Sequence, residues 1–167
     1  GMQDLGTLGG TESQANGVSG DGSVVVGWAS DALGNLRAFR WTAATGMQYL
    51  GTLAAHSSAY DVSGNGAVIV GWSGDVSTAR SLRRAERFRQ AGKQRSFPLK
   101  GRDSSGRAFR WLPSTGMTDL NLVFSDLLSS GQSLTEAWAT SSTGTFVGGV
   151  GLSGSRDEAF LLYTSNR

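Results

Sequence analysis

Short apolar runs separated by glycine-rich turns recur along the whole chain. Residues 24–28 and 68–72 read VVVGW and VIVGW, and a run AFRW follows each of them, at residues 38–41 and 108–111. Runs of about four to eight apolar and β-branched residues, bounded by Gly, Asn, Asp and Ser, are typical of β-strands. The pattern therefore predicts an all-β fold.

Two kinds of turn sequence connect these runs. Asp21-Gly22 and Asn65-Gly66 stand between apolar segments, and such pairs favour a type I′ hairpin turn because both residues tolerate a positive φ. Segments 42–46 and 112–116 reverse the chain after each AFRW run. We therefore expect each unit to be an antiparallel meander of four short strands.

An internal repeat organises the chain. Residues 1–30 and 46–74 share 17 identities over 29 aligned positions, in the order GMQ-x-LGTL, A-x-x-VSG and V-x-VGW. A third, weaker copy begins with the GM of residues 116–117 and closes with EAFLL at residues 158–162. Self-similarity at a fixed period is the signature of repeat architectures. We treat the chain as a single repeat domain, 1–167, with units 1–45, 46–115 and 116–167.

The valine runs are apolar on both faces, unlike the alternating pattern of a sheet with one solvated side. The blades of a β-propeller cover both faces, because each four-stranded sheet lies between two others. The 45 residues from Met2 to Met47 are a usual blade length. The sequence therefore predicts a β-propeller-like array of about three four-stranded antiparallel blades. The alternative is a β-trefoil, which would favour a lectin.

Composition narrows the classes of function. The 167 residues include 25 Gly, 2 Pro and no Cys, and 17% of them are charged. The absence of Cys excludes a disulfide framework, thiolate metal ligands and thiol catalysis. No run approaches 18 apolar residues and no basic-then-apolar leader opens the sequence. We therefore expect neither a membrane span nor an intact signal peptide in this chain.

The net charge of +2 conceals a segregation of charge. Residues 80–102 hold nine of the fifteen basic residues and one acid, which gives +8, while six basic and twelve acidic residues elsewhere give −6. The second unit also carries about 25 extra residues here, since Met47 and Met117 lie 70 residues apart. The chain is therefore an acidic body with a basic insertion, 79–102.

This insertion is the candidate ligand-binding segment. Ser77 or Thr78 could cap an amphipathic helix over residues 79–91. Its cations suit an anionic partner, either an acidic glycan or lipopolysaccharide, and nucleic acid is disfavoured because few aromatic residues are interleaved. The alternative is a solvated excursion or a decayed repeat. The candidate binding residues are Arg83, Arg84, Arg87, Arg89, Lys93 and Arg95.

The recurring motifs of the repeat also resemble those of a known family. The motifs VVGW, AFRW, TGM and LGTL are similar to those of the HAF-type "probable extracellular repeat" proteins of bacteria, and their order is kelch-like. The resemblance covers about 140 of the 167 residues. The resemblance implies an exported or surface-associated repeat protein with no established biochemical activity. The basic insertion departs from the family spacing.

Other residues that could carry chemistry are better explained by the repeat. Trp28 and Trp72 occupy equivalent strand ends and are expected to pack between blades. His56, the single histidine, is expected in a solvated loop, and no G-x-S-x-G nucleophile motif is present. Asp31 and Asp75 follow equivalent strands, so repetition alone accounts for both acids. We therefore predict no catalytic residues, no metal site and no cofactor.

The sequence favours a binding or scaffolding module on a bacterial surface over a reaction. The alternative is a glycan-active enzyme or lectin that uses the propeller funnel. Because a ring needs at least four blades, we expect a homodimer that closes a six-bladed ring. Residues 159–163 of one copy would pair with residues 2–8 of the other. The rival outcome is closure within one chain.

Overall fold

The structure is a computed structural model that describes residues 1–75 and 106–164. The strands in these residues form three sheets. The first sheet consists of β1 (Gly9–Val18), β2 (Val25–Asp31), β3 (Leu36–Thr42) and β4 (Gly46–Tyr49). The second sheet consists of β5 (His56–Val62), β6 (Ile69–Gly74), β7 (Arg107–Leu112) and β8 (Gly116–Asp119). A short helix α1 (Leu120–Val123) precedes the third sheet, which consists of β9 (Gln132–Thr140), β10 (Phe146–Ser153) and β11 (Arg156–Tyr163).

Each sheet is an antiparallel meander whose strands lie side by side in chain order, as predicted. The registers of the first two sheets are the same at equivalent residues. Trp41 lies opposite Met47 in the first sheet, and Trp111 lies opposite Met117 in the second. The all-β prediction and the repeat are therefore confirmed at the level of strand pairing.

The sheets are shifted in phase against the sequence units. Each sheet begins with the strand that follows the opening segment of a sequence unit. The first two sheets end with the GM run that opens the next unit. The third sheet consequently has three strands within the described residues, which corrects the prediction of four strands in every blade. The described strands close into neither a barrel nor a ring.

Two apolar cores lie between the sheets. The core between the first and second sheets contains Val24, Val26, Ala38, Leu50, Ala59, Val62, Ile69 and Phe109. The core between the second and third sheets contains Val68, Val70, Ala108, Leu120, Phe124, Leu134, Ala137, Val147 and Leu162. Ile69 and Val70 are both fully buried but belong to different cores. The prediction of cover on both faces is confirmed for this run.

The turns that join the first two strands of each sheet form a ladder across the sheets. The Gly20 N–H donates to the Gly64 carbonyl at 2.9 Å, and the Asn65 N–H donates to the Ser142 carbonyl at 3.3 Å. A methyl group on Gly20 would lie 3.2 Å from the Gly64 oxygen. The small residues of the VSG motif therefore allow this close backbone contact.

These turns differ from the predicted type I′ hairpin. The Gly22 N–H donates to the Ser19 carbonyl at 2.9 Å, so Gly20 and Asp21 are the central residues. Gly22 has φ +74°, while Gly20 is not among the residues with positive φ. Glycine after a type I turn explains this geometry. The Asp21 carboxylate accepts from the Ser19 hydroxyl and from the Ser23 N–H and hydroxyl, which lower its pKa to about 2.

The glycine of each VGW motif, and Gly149 at the same position of the third unit, is required by the strand beside it. A side chain on Gly27, Gly71 or Gly149 would collide with a backbone carbonyl oxygen of the first strand of the same sheet. Each of these first strands has a register shift at this point, so its backbone bulges toward the second strand. The ring of Phe109 also lies 2.8 Å from the methyl position of Gly71.

Residues 1–8 repeat the sequence of β4 but do not form a strand. Leu8 makes one isolated bridge to Asp31, and the Ser13 hydroxyl donates to the Gly6 carbonyl at 2.8 Å. Met2 is completely exposed. This segment therefore lies beside the first sheet without the pairing that its copies make.

The basic insertion, 79–102, lies outside the described residues, so its predicted helix and anion-binding role stay predictions. Within the described ranges, no helix has the length and apolar character needed to cross a membrane.

Candidate functional site

The third sheet presents one face to the second sheet and turns the other away from it. Leu162 packs in the core between these sheets. Because side chains alternate along a strand, Leu161 and Tyr163 lie on the opposite face. Phe146 lies opposite Tyr163 in the neighbouring strand, and their ring centroids are 5.4 Å apart. We call this surface of Phe146, Leu161 and Tyr163 the open face.

The open face is more exposed than the equivalent positions of the other sheets. Phe146, Leu161 and Tyr163 are 44%, 73% and 56% exposed. Val24 and Val68, which are equivalent to Phe146, are only 4% and 8% exposed because a neighbouring sheet packs on each of them. Adjacent exposed large apolar side chains are typical of an interaction site.

The outer edge of β11 borders the open face. In the first two sheets, the strands β3 and β7 each pair with a fourth strand. Among the described residues, β11 pairs with β10 alone. Its outer edge therefore presents backbone N–H and C=O groups that the other two sheets use for pairing.

A buried carboxyl group lies near the inner edge of the third sheet. Glu136 is 8% exposed and accepts a hydrogen bond of 2.8 Å from the Trp138 indole N–H. The Tyr60 hydroxyl of the second sheet also hydrogen-bonds to it. Burial raises the pKa of Glu136, and burial likewise raises the pKa of Tyr60 well above 10. The polar atoms of these three side chains are hydrogen-bonded to one another, and the bond from Tyr60 joins the second and third sheets, as in a structural contact.

The acids singled out in the sequence have structural partners. Asp31 accepts from the Asn35 side chain, from the Leu33 N–H and from Arg37 Nε at 2.8 Å. The Asn35 amide and then the backbone and Arg37 donors hold the pKa of Asp31 well below its usual range. Asp75 accepts from the Ala55 N–H at 3.0 Å. Asp31 therefore orders the loop between β2 and β3, whereas Asp75 contacts the segment before β5.

The expectation that His56 is a solvated loop residue is wrong. His56 begins β5, and its Nδ1 accepts a hydrogen bond from the Leu36 N–H of the first sheet at 3.1 Å. Burial, and then the charge of Arg37, lower the pKa of this imidazole. The side chain therefore ties two sheets together in its neutral form.

The equivalent tryptophans differ in environment. Trp72 is 7% exposed, as expected for core packing, whereas Trp28 is only half-buried. Trp28 lies in a shallow cleft of about 920 Å³ formed by β1 and the segment before it. The other residues that line the cleft are Asp4, Gly6, Thr7, Thr11, Glu12, Ser13 and Gln14. An indole among hydroxyl, amide and carboxylate groups is chemistry suited to a sugar ring.

The predicted binding residues Arg83, Arg84, Arg87, Arg89, Lys93 and Arg95 lie outside the described ranges. Within those ranges, no group of three or more His, Asp or Glu side chains is placed to hold a metal ion.

The expectation that an array of three blades needs a partner already implied an uncovered end, but sequence reasoning did not single out Phe146, Leu161 and Tyr163, although the sequence carried a signal. Leu161 stands where the two AFRW runs have Arg40 and Arg110, and Phe146 stands where the other units have Val. Each change places a larger or more apolar side chain on the face that no described sheet covers.

A comparison with known protein families found no match, and a comparison with curated proteins found no significant match.

Proposed function

We propose that this chain is a binding and scaffolding module of an extracellular or cell-surface bacterial repeat protein, with the open face as its binding surface. Three stacked meanders support a propeller-like arrangement, and the HAF-type motifs of the repeat support an extracellular or cell-surface location. The observation that carries the proposal is the exposure of Phe146, Leu161 and Tyr163 at positions whose equivalents in the other sheets are less exposed.

The open face is chemically suited to another protein surface. Burying apolar area contributes about 25 cal/mol per Å², or roughly 1.5–3 kcal/mol for one Phe or Leu side chain. Tyr163 adds a hydroxyl group to an aromatic surface, and aromatic residues are enriched among those that dominate interface energies. A partner with a complementary apolar patch therefore gains more here than a charged polymer does.

A retention experiment tests the proposal. Labelled chain is incubated with bacterial cells and with a glycan panel in about 0.5 M salt, where screening over roughly 4 Å suppresses attraction by the basic insertion. Leu161→Arg restores the residue found in the other units and should lower retention on cells at least about tenfold. Leu33→Arg is the control, because Leu33 is 87% exposed in the turn after β2.

Two results would contradict the proposal. Equal retention of both arginine variants would remove the open face as the binding surface. Turnover of any glycan in the panel would replace the binding module with the alternative enzyme.

The cleft beside Trp28 favours a second candidate function, which is glycan binding. Its half-buried indole and polar lining offer stacking together with hydrogen bonds. Trp28→Ala should abolish retention on immobilised glycans while retention on cells through the open face continues. Unchanged glycan retention would exclude this candidate.

A further inference from the structure

The first two sheets each end in a fourth strand with a common sequence. β4 and β8 both begin with Gly-Met, and the methionine lies opposite a tryptophan of the preceding strand. The leucine that follows each strand is buried, Leu50 at 6% and Leu120 at 0% exposure. The Leu50 N–H continues the ladder by donating to the Ala38 carbonyl at 2.9 Å.

Residues 1–5 have the same sequence but lack this pairing. They read GMQDL, against GMQYL at residues 46–50. Met2 is completely exposed, and Leu5 is only half-buried. The Asp4 carboxylate accepts from the Gly6 N–H at 2.9 Å. The segment therefore carries the side chains of a fourth strand without a sheet to complete.

The third sheet offers the matching acceptor. Ala159 and Phe160 in β11 are equivalent to Ala38 and Phe39 in β3, since EAFLL aligns with RAFRW. Within the described residues the outer edge of β11 has no strand beside it. We infer that this edge takes residues 1–5 of a second copy of the chain as the fourth strand of the third sheet. The inference deepens the proposed binding function by naming its partner.

The repeat fixes the register of this added strand. In the first sheet Gln48 lies opposite Arg40 and Met47 lies opposite Trp41. By equivalence Gln3 lies opposite Leu161, and Met2 lies opposite Leu162. Hydrogen-bonded pairs alternate along an antiparallel ladder, so the Leu50 contact makes Gln48 a hydrogen-bonded position. The Gln3 N–H therefore donates to the Leu161 carbonyl.

The chain's own segment is a poor occupant of this edge. Leu8 is bridged to Asp31 in the first sheet, and the three residues from Leu5 to Leu8 span at most about 10 Å. The second sheet lies between the first and the third, and packed sheets are about 10 Å apart. Crossing two such intervals exceeds the reach of the segment, which selects a second copy.

The outward face of the first sheet complements the open face. Val62 of the second sheet is 5% exposed in a core, whereas its equivalent Val18 in the first sheet is 59% exposed. Tyr49 in β4, on the same face of the sheet as Val18, is 45% exposed. The second copy therefore brings an apolar sheet face together with the strand. This is how the second sheet meets the first.

Cysteine pairing tests the register, because the chain has no cysteine of its own. The double variant Gln3→Cys with Leu161→Cys should form an intermolecular disulfide under mild oxidation, since residues opposite each other in a hydrogen-bonded pair lie about 5.5 Å apart. Its mass in denaturing gels should double from 17.5 kDa. Gln3→Cys with Asp157→Cys is the control, because Asp157 is also exposed on β11 but lies four residues away.

Light scattering on the unmodified full chain should give a dimer that dissociates on dilution. Gln3→Pro should weaken the dimer at least about tenfold, since proline removes the Gln3 N–H. Gln3→Ala should not weaken it. Residues 1–5 lie outside every strand, so neither change interferes with folding.

The outcomes separate this inference from the proposed function. A monomer at every concentration, equal crosslinking of both cysteine pairs, or a disulfide within one chain would overturn strand addition. Retention on cells that persists in Gln3→Pro would leave the open face as a binding surface for another protein. A third outcome is that Gln3→Pro weakens the dimer while Leu161→Arg leaves retention on cells unchanged. This result would support strand addition and contradict the proposed function.

Discussion

At the scale of single residues, two adjacent glycines in β10 have opposite requirements. A methyl group on Gly149 would collide with the Glu136 carbonyl and lie 2.7 Å from the Phe160 ring, whereas the nearest atom to a methyl group on Gly148 is 3.8 Å away. Gly149→Ala should therefore lower the free energy of unfolding by about 1–3 kcal/mol. Gly148→Ala should leave it unchanged or raise it slightly. Urea unfolding measures both, and equal effects would contradict the bulge as the reason for the VGW glycine.

The buried Glu136 predicts a dependence of stability on pH. Burial raises its pKa in the folded chain, with a smaller contribution from Asp157, while hydrogen bonds from Trp138 and Tyr60 oppose the shift. The folded state therefore binds the proton more tightly than the unfolded state. Above the unfolded pKa, stability should fall as pH rises through the raised folded pKa.

Glu136→Gln keeps the hydrogen-bond acceptor and removes the titration. Its stability relative to the unsubstituted chain should improve as the pH rises above about 4, the ordinary pKa of a glutamate, measured by urea unfolding at each pH. Glu158→Gln makes the same change on an exposed residue of β11 and serves as the control. A constant difference between Glu136→Gln and the unsubstituted chain would show that the carboxyl group stays ionised in the folded state.

At the scale of elements, strand positions and pairing followed from the sequence because each strand is bounded by its own turn signals. AFRW and the following GM run lie opposite each other in two sheets, as their spacing predicts. The turn type did not follow, because Asp21 is fixed by the Ser19 and Ser23 side chains. The environment of His56 also escaped prediction, since its partner Leu36 belongs to a different sheet.

The connection between β6 and β7 gives a prediction at this scale. Ser73 and Arg107 lie opposite each other, so the chain returns to the point from which it left the sheet. Excision of 79–102 would leave eight connecting residues, 75–78 and 103–106, against the four residues 32–35 in the first sheet. The β-sheet circular dichroism and the melting temperature should stay nearly unchanged.

The same excision should abolish salt-sensitive binding to heparin or lipopolysaccharide. It removes a local charge of +8 and turns the net charge from +2 to −6, which reverses the sign of long-range attraction to an anion. Binding is measured against salt concentration. Loss of the β-sheet signal on excision would show instead that the insertion belongs to the fold.

At the scale of the whole molecule, equivalent residues have different environments at the ends of the array. Val62 is 5% exposed, whereas Val18, at the same position of the repeat, is 59% exposed. Val62→Asp should abolish folding, because an unpaired charge would be buried in an apolar core. Val18→Asp should leave monomer unfolding within about 0.5 kcal/mol while it weakens the dimer. Urea unfolding at low concentration and light scattering separate the two effects, and an equal loss of fold would contradict the exposed end face.

The turn ladder gives the array a direction. In both of its contacts the earlier unit donates and the later unit accepts, from Gly20 to Gly64 and from Asn65 to Ser142. One end of the stack is consequently a donor and the other an acceptor, so a contact that continues this ladder joins copies head to tail. Head-to-tail contacts close into a ring when the rotations add to a full circle and otherwise continue as a filament. The inferred dimer therefore requires the sheets of each copy to turn through half a circle, and a change at a bulge that alters this rotation would change the stoichiometry without abolishing assembly.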